Sequence, residues 1–261
     1  MKHITVLFTL ALAAAGLSAC DAEVTSASGA QARPIASSPA ALPPNEALLA
    51  AVQALDTTAY NFNIKQGTKT GGGRIDPAAK SATMELGGTV EQFTVSVAYT
   101  VIAPQLWVKA DFGKELNQLW GLPANVWMLV DLAKVGSTAT LPVDKAGAPK
   151  LGVTELFKNG LVEVKRTDAT HFTGTVDVTA ADTILAPTDD VLKKAGAKAK
   201  AVPFTATVDG QGRLTAFAID GASIDPELAM QLTFAGFGSV LPVTEPAGAT
   251  PAPDSVYQLF S

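Results

Sequence analysis

Strict alternation is the feature that most constrains this chain. From Glu91 to Ile102, Phe93, Val95, Val97, Tyr99 and Val101 take every second position, and Gln92, Thr94, Ser96, Ala98 and Thr100 stand between them. Successive side chains of a strand point to opposite faces, so this segment reads as a strand with one dry face and one wet face. His171 to Thr179 repeats the device, with Phe172, Gly174, Val176 and Val178 on one side. Val202 to Val208 does so again with Phe204, Ala206 and Val208, and Asp209-Gly210-Gln211-Gly212 then turns the chain into Arg213 to Asp220. Strands are also expected at Tyr60 to Gln66, Lys69 to Ile75, Ser81 to Leu86, Leu106 to Phe112, Val126 to Asp131, Leu161 to Thr167 and Ala229 to Phe237, about ten or eleven in all. One wet face per strand argues for antiparallel pairing, since parallel sheets are covered on both sides.

Helix signals are few. Asn45-Glu46 after two prolines opens a segment in which Leu48, Leu49, Val52 and Leu55 share a helical face. Thr188 to Ala195 carries Asp189 and Asp190 in its first turn, Lys193 and Lys194 in its last, and Gly196 as a stop. Lys114 to Trp120 is a third candidate. The expected class is therefore α+β: a single large, curved antiparallel sheet with a few helices on its dry face. So broad a dry face under so few helices is compatible with a filled core or with a cavity for something apolar, and periodicity does not separate the two.

The N-terminus carries a different message. Residues 1–19 run from Lys2 through the apolar block Ile4 to Ala15 to the small residues Gly16, Ser18 and Ala19, the layout of a secretory signal peptide. The apolar block falls short of the roughly 20 residues that span a bilayer. It closes on Leu17-Ser18-Ala19-Cys20, and Cys20 is the sole cysteine. This tetrapeptide resembles the bacterial lipobox, in which the thiol receives a diacylglyceryl group and becomes residue one after cleavage. The plainer alternative is an ordinary signal with an incidental cysteine. Two or more acyl chains at about 0.8 kcal/mol per buried CH₂ hold a protein on a membrane, where one chain is marginal. Residues 20–44 are rich in Ala, Ser and Pro without an apolar period, which reads as a flexible linker with a reach of roughly 25 to 30 Å. A membrane-anchored domain on the extracytoplasmic side of the cell membrane follows, spanning 45–245, with 246–261 as a C-terminal tail.

Composition removes several functions. Without residues 1–19 the chain keeps 18 basic residues against 24 acidic ones, a balance of 18 − 24 = −6. Such a chain lacks the clustered Lys and Arg that displace counterions from phosphate, so nucleic acid is not an expected partner. A single cysteine allows no internal disulfide, so the fold must rest on its core. His171 is the only histidine beyond residues 1–19, and it reads as a half-exposed residue at a strand start rather than as a base. No G-x-S-x-G, H-E-x-x-H, Walker or EF-hand string occurs. Gly71-Gly72-Gly73 lacks the lysine and helix start of a P-loop and reads as the flexible start of a strand, or a bulge. No catalytic residue, cofactor or metal is expected.

Two stretches carry a family likeness. Leu106-Trp107-Val108-Lys109 followed by Asn125-Val126-Trp127-Met128-Leu129-Val130-Asp131-Leu132, and Val202-Pro203-Phe204-Thr205-Ala206-Thr207-Val208-Asp209-Gly210-Gln211-Gly212-Arg213-Leu214, resemble segments of the LppX/LprA/LprF/LprG-type lipoproteins of mycobacteria and related bacteria. The resemblance covers most of residues 45–245. It implies a half-barrel of antiparallel strands, related to the LolA/LolB carriers, with helices over the concave side and an acylated lipid or glycolipid held between them. It also implies transport or presentation of that lipid in the cell envelope, with a membrane transporter as a possible partner. Candidate lining residues are Phe93, Val95, Val97 and Tyr99, with Trp107, Trp120 and Trp127 around the mouth or the helices. The alternative is a structural or sensory surface lipoprotein with a filled core.

Overall fold

The twelve strands found among the described residues make one sheet in the computed structural model, which describes residues 42–90, 93–136, 141–181 and 186–258. The expected signal segment, Cys20, most of the linker and the Glu91 start of the longest alternating run lie outside the described residues. The strands are β1 Tyr60–Gln66, β2 Lys69–Asp76, β3 Ser81–Val90, β4 Phe93–Ile102, β5 Gln105–Asp111, β6 Met128–Val130, β7 Leu161–Arg166, β8 His171–Val176, β9 Val202–Val208, β10 Leu214–Ile219, β11 Met230–Ala235 and β12 Thr250–Pro251. Their order is β12-β6-β5-β4-β3-β2-β1-β11-β10-β9-β8-β7. Two meanders, β1 to β6 and β7 to β11, are thus joined along β1 and β11, where Phe62 stands opposite Phe234. Every neighbouring pair is antiparallel except β12 with β6, and the sheet does not close, because β12 and β7 are its two edges.

Alternation sets the dry face as expected. Tyr60, Phe62, Ile64 and Gln66 of β1 are buried, while Asn61, Asn63 and Lys65 are exposed. Val202, Phe204, Ala206 and Val208 of β9, and Met230, Leu232 and Phe234 of β11, point the same way. The turn between β9 and β10 is built by Asp209, whose Oδ1 accepts from the backbone N–H groups of Gln211 and Arg213, each at 2.9 Å. Its Oδ2 accepts from Arg213 Nε at 2.8 Å. Both edges are blunted against further pairing: β7 carries Lys165, Arg166 and a register shift after Leu161, and β12 is two residues long and ends in Pro251.

Five α-helices are found among the described residues: α1 Pro44–Gln53, α2 Gly113–Leu119, α3 Val153–Gly160, α4 Asp189–Ala195 and α5 Asp254–Tyr257. Leu48, Val52 and the following Leu55 are buried as the helical spacing predicts, whereas Leu49 is only partly so. Helix α1 packs on α3, β7 and β10. On α3, Val153, Leu156, Phe157 and Gly160 are buried, and Phe157 stacks on Phe217 and Phe204 with ring centroids 4.6 and 6.2 Å apart. Such aromatic pairs add about 0.5–1.5 kcal/mol each beyond the area they bury.

Several expectations are corrected. Helix α3 was not anticipated, nor were β12 and α5. The stretch expected as a tail instead lays Thr250–Pro251 against the edge of β6, and Val256 enters the core with 0% exposure. The bare edge of β6 and an apolar side chain both gain cover that way. Two strands stop early because an aspartate turns the chain. Asp131 Oδ1 accepts from Ala133 N at 3.1 Å and ends β6, and Asp177 Oδ1 accepts from Thr179 N at 2.9 Å and ends β8 at Val176. β11 stops at Ala235, where Gly236 takes φ +64°. Gly71-Gly72-Gly73 is neither a strand opening nor a bulge: it lies inside β2 with unbroken register to β1 and β3.

Candidate functional site

Among the described residues a strongly apolar hollow opens on the dry face. The register of β1 to β4 puts Ile64, Gly71, Leu86 and Val97 in one cross-strand row, and the next row ends in Gly88 opposite Val95. Gly88 brings no side chain to a surface where its neighbours do, and a depression of about 160 Å³ lies beside it. It is lined by Ile64, Gln66, Lys69, Thr70, Leu86, Gly87, Gly88, Val95, Ser96 and Val97. The glycine at 71 is obligatory, since a Cβ there would collide with the Glu85 carbonyl. A cavity of about 150 Å³ with apolar walls takes up one benzene-sized group, so this hollow suits a short length of a single hydrocarbon chain.

One charged group lines it. Lys69 Nζ lies 3.0 Å from Glu227 Oε2. Glu227 belongs to the short turn Pro226–Leu228, whose start is fixed by Asp225 Oδ1 accepting from Glu227 N at 2.9 Å. Gln66, 8% exposed, donates from Nε2 to the Glu227 carbonyl at 3.3 Å. The same Gln66 forms part of a second space of about 10 Å³ with Leu156, Ile219 and Met230, so it stands as a partition between the hollow and the region under α3.

The expected lining residues separate. Val95 and Val97 line the hollow. Phe93 is partly buried but does not line it, and Tyr99 is 8% exposed within the closed core. Burial pushes the Tyr99 hydroxyl pKa up to about 12. The three tryptophans do not surround the hollow. Trp107 alternates with the core residues Leu106 and Val108, so it points to the other face of the sheet, where it is nonetheless 1% exposed. Trp127 precedes the core residue Met128, and Lys109 Nζ lies 5.2 Å from its ring centroid, again on that face. Trp120 follows α2, is 44% exposed and packs edge-on against Phe112. Spacing in sequence gave these residues equal standing. What divides them is strand parity, which was readable for Trp107 and Trp127 from their apolar neighbours.

Two polar clusters lie away from the hollow. A cleft of about 320 Å³ opens at the opposite end of β1, lined by Asp56, Lys80, Asp144, Lys150 and Glu155 among others. Two of its acids are engaged in holding the chain: Asp56 Oδ1 accepts from Thr154 Oγ1 at 2.8 Å, and Asp144 Oδ1 accepts from Ala146 N and Ala148 N at 2.8 and 2.9 Å. On the β7–β8 turn, Asp168 Oδ1 accepts from the backbone of Thr170 and His171 at 2.8 and 2.9 Å. These bonds, together with the His171 ring, hold the Asp168 carboxyl down at about 2. His171 Nδ1 meets both Asp168 Oδ1, at 2.9 Å, and Thr170 Oγ1, at 3.0 Å. A proton relay needs the two partners on different ring nitrogens, so this exposed group serves as a turn. Among the described residues no cluster of His, Cys, Asp and Glu is arranged to hold a metal ion, and no helix is long and apolar enough to cross a membrane.

No protein-family model matches the chain, and no curated protein matches it.

Proposed function

We propose that this chain is a lipoprotein anchored through an acylated Cys20, with a half-barrel domain that binds the acyl part of a lipid or glycolipid and carries or presents it in the cell envelope. The observation that carries the reading is the hollow beside Gly88, an apolar depression left open on the dry face. The lipobox, the linker and the resemblance to LppX/LprG-type lipoproteins support it from the sequence. Binding is burial rather than chemistry. Each methylene that leaves water for the walls formed by Ile64, Leu86, Val95 and Val97 gains about 0.8 kcal/mol, and release onto a membrane or to a transporter returns it to an equally apolar medium.

A specific observation favours the second reading, a structural or sensory surface lipoprotein. The core under α1 and α3 is packed with Phe157, Phe204 and Phe217. Native mass spectrometry of the chain purified under mild conditions separates the two. A co-purifying lipid mass, lost when Val95→Phe fills the hollow, is the expected result, and an empty wild-type chain would favour the second reading. The anchor is tested apart from this: Cys20→Ala should move the protein from the membrane fraction to the soluble one.

A further inference from the structure

We infer that the ligand of the hollow is a free fatty acid, its carboxylate on Lys69 and its chain over Gly88 against Leu86 and Val95; this rests on the lipid-binding reading above. Three observations select that class. The volume of about 160 Å³ admits one chain and only about six of its carbons by comparison with the benzene-sized cavity, which disfavours a ligand that must bury two or three chains together. The residues lining the hollow include a single charged one, Lys69, and apart from Gln66, Thr70 and Ser96 the rest are apolar or glycine. A ligand with one anionic end and one apolar body matches that layout.

The third observation is what Lys69 holds at present. Its partner is a carboxylate, Glu227, at 3.0 Å, and both side chains are partly open to solvent, 52% and 34%. A fatty acid replaces one carboxylate by another on the same ammonium. Only the Glu227 side chain has to swing away, because its backbone is fixed by Asp225 and by Gln66. A phosphate dianion would bring a second negative charge next to Glu227 and so is less well matched.

The test is calorimetric titration of the full chain bearing Cys20→Ala with octanoate, 1-octanol and dihexanoylphosphatidylcholine. Octanoate should bind at least tenfold more tightly than octanol. Lys69→Met should erase that difference while leaving octanol binding where it was. Glu227→Gln frees Lys69 from its internal partner and should strengthen octanoate binding severalfold without moving octanol, a gain that a misfolded variant could not give. Equal binding of octanoate and octanol, or octanoate binding untouched in Lys69→Met, overturns the fatty-acid assignment. Binding of the two-chain phospholipid with none of octanoate overturns it too, yet leaves lipid binding standing. Should none of the three bind, the assignment and the lipid-binding reading fall together.

Discussion

The strands β9 to β11 and the strands β3 and β4 use the same apolar alternation, yet their dry sides end differently. Phe204, Phe217 and Leu232 lie under α1 and α3 and are 1–2% exposed. Leu86, Val95 and Val97 are only partly buried and border an open hollow. The difference lies not in the strands but in what is laid over them. Alternation assigns a side chain to a face, and a second layer decides whether that face is sealed. Here α3 supplies Phe157 to one region, while Gly88 leaves the other thin.

The comparison can be broken most directly by truncation. Phe217→Ala removes the ring at the centre of the sealed region and should cost about 3–5 kcal/mol in denaturant unfolding, the range for a large side chain lost from a tight core. A cost below about 1 kcal/mol would show that the region is not sealed. Alkaline pH tests where the seal ends, because Tyr99 lies on β4 four positions beyond Val95. Burial raises its pKa to about 12 and also raises that of Tyr60, with the Asp56 charge adding to the latter. A raised pKa favours the neutral phenol in the fold, so this stability is fully present below pH 10 and is lost as pH climbs from about 10 toward 12. Near-ultraviolet titration should find these two tyrosines ionising late and together with unfolding; ionisation of Tyr99 at its ordinary pH would extend the open region down β4.

Gentler changes sharpen the contrast. Val95→Phe projects a ring into vacant space, so its stability should shift by less than about 1.5 kcal/mol, well under the Phe217→Ala cost, while uptake of any apolar ligand falls at least tenfold. Val95→Ala should be the mildest, within about 1 kcal/mol, since a half-exposed residue leaves little cavity when shortened. Equal losses for Val95→Ala and Phe217→Ala would erase the distinction between the two regions.

Most of the sheet was legible in sequence because period two is a local property, and β1, β9 and the Asp209 turn follow it closely. Helix α3 was legible in principle: Val153, Leu156, Phe157 and Gly160 fall at i, i+3, i+4 and i+7, but the segment is short and follows a loop. β12 left no such trace, since two residues carry no period and their partner, β6, is remote in sequence. The hollow was legible only in part. Val95 and Val97 follow from parity, but the opening beside them needs Gly88 opposite Val95, and that depends on register between strands. The placement of the tryptophans failed for a different reason: Trp107 and Trp127 were grouped with the inward set by size, although the parity of their apolar neighbours puts them on the other face.

The joint between β1 and β11 bears on how such a chain is made. β1 leaves a ribosome long before its partner β11, with Asn61 paired to Ala235. Until that late arrival, the side of β1 turned away from β2 offers unpaired amide and carbonyl groups to any neighbouring strand. Pairing so distant in sequence also carries a high loop-closure cost and slows folding. The nascent protein therefore has a long interval in which it is open to self-association, and chain-binding helpers acting on β1 would be most valuable before residue 235 emerges.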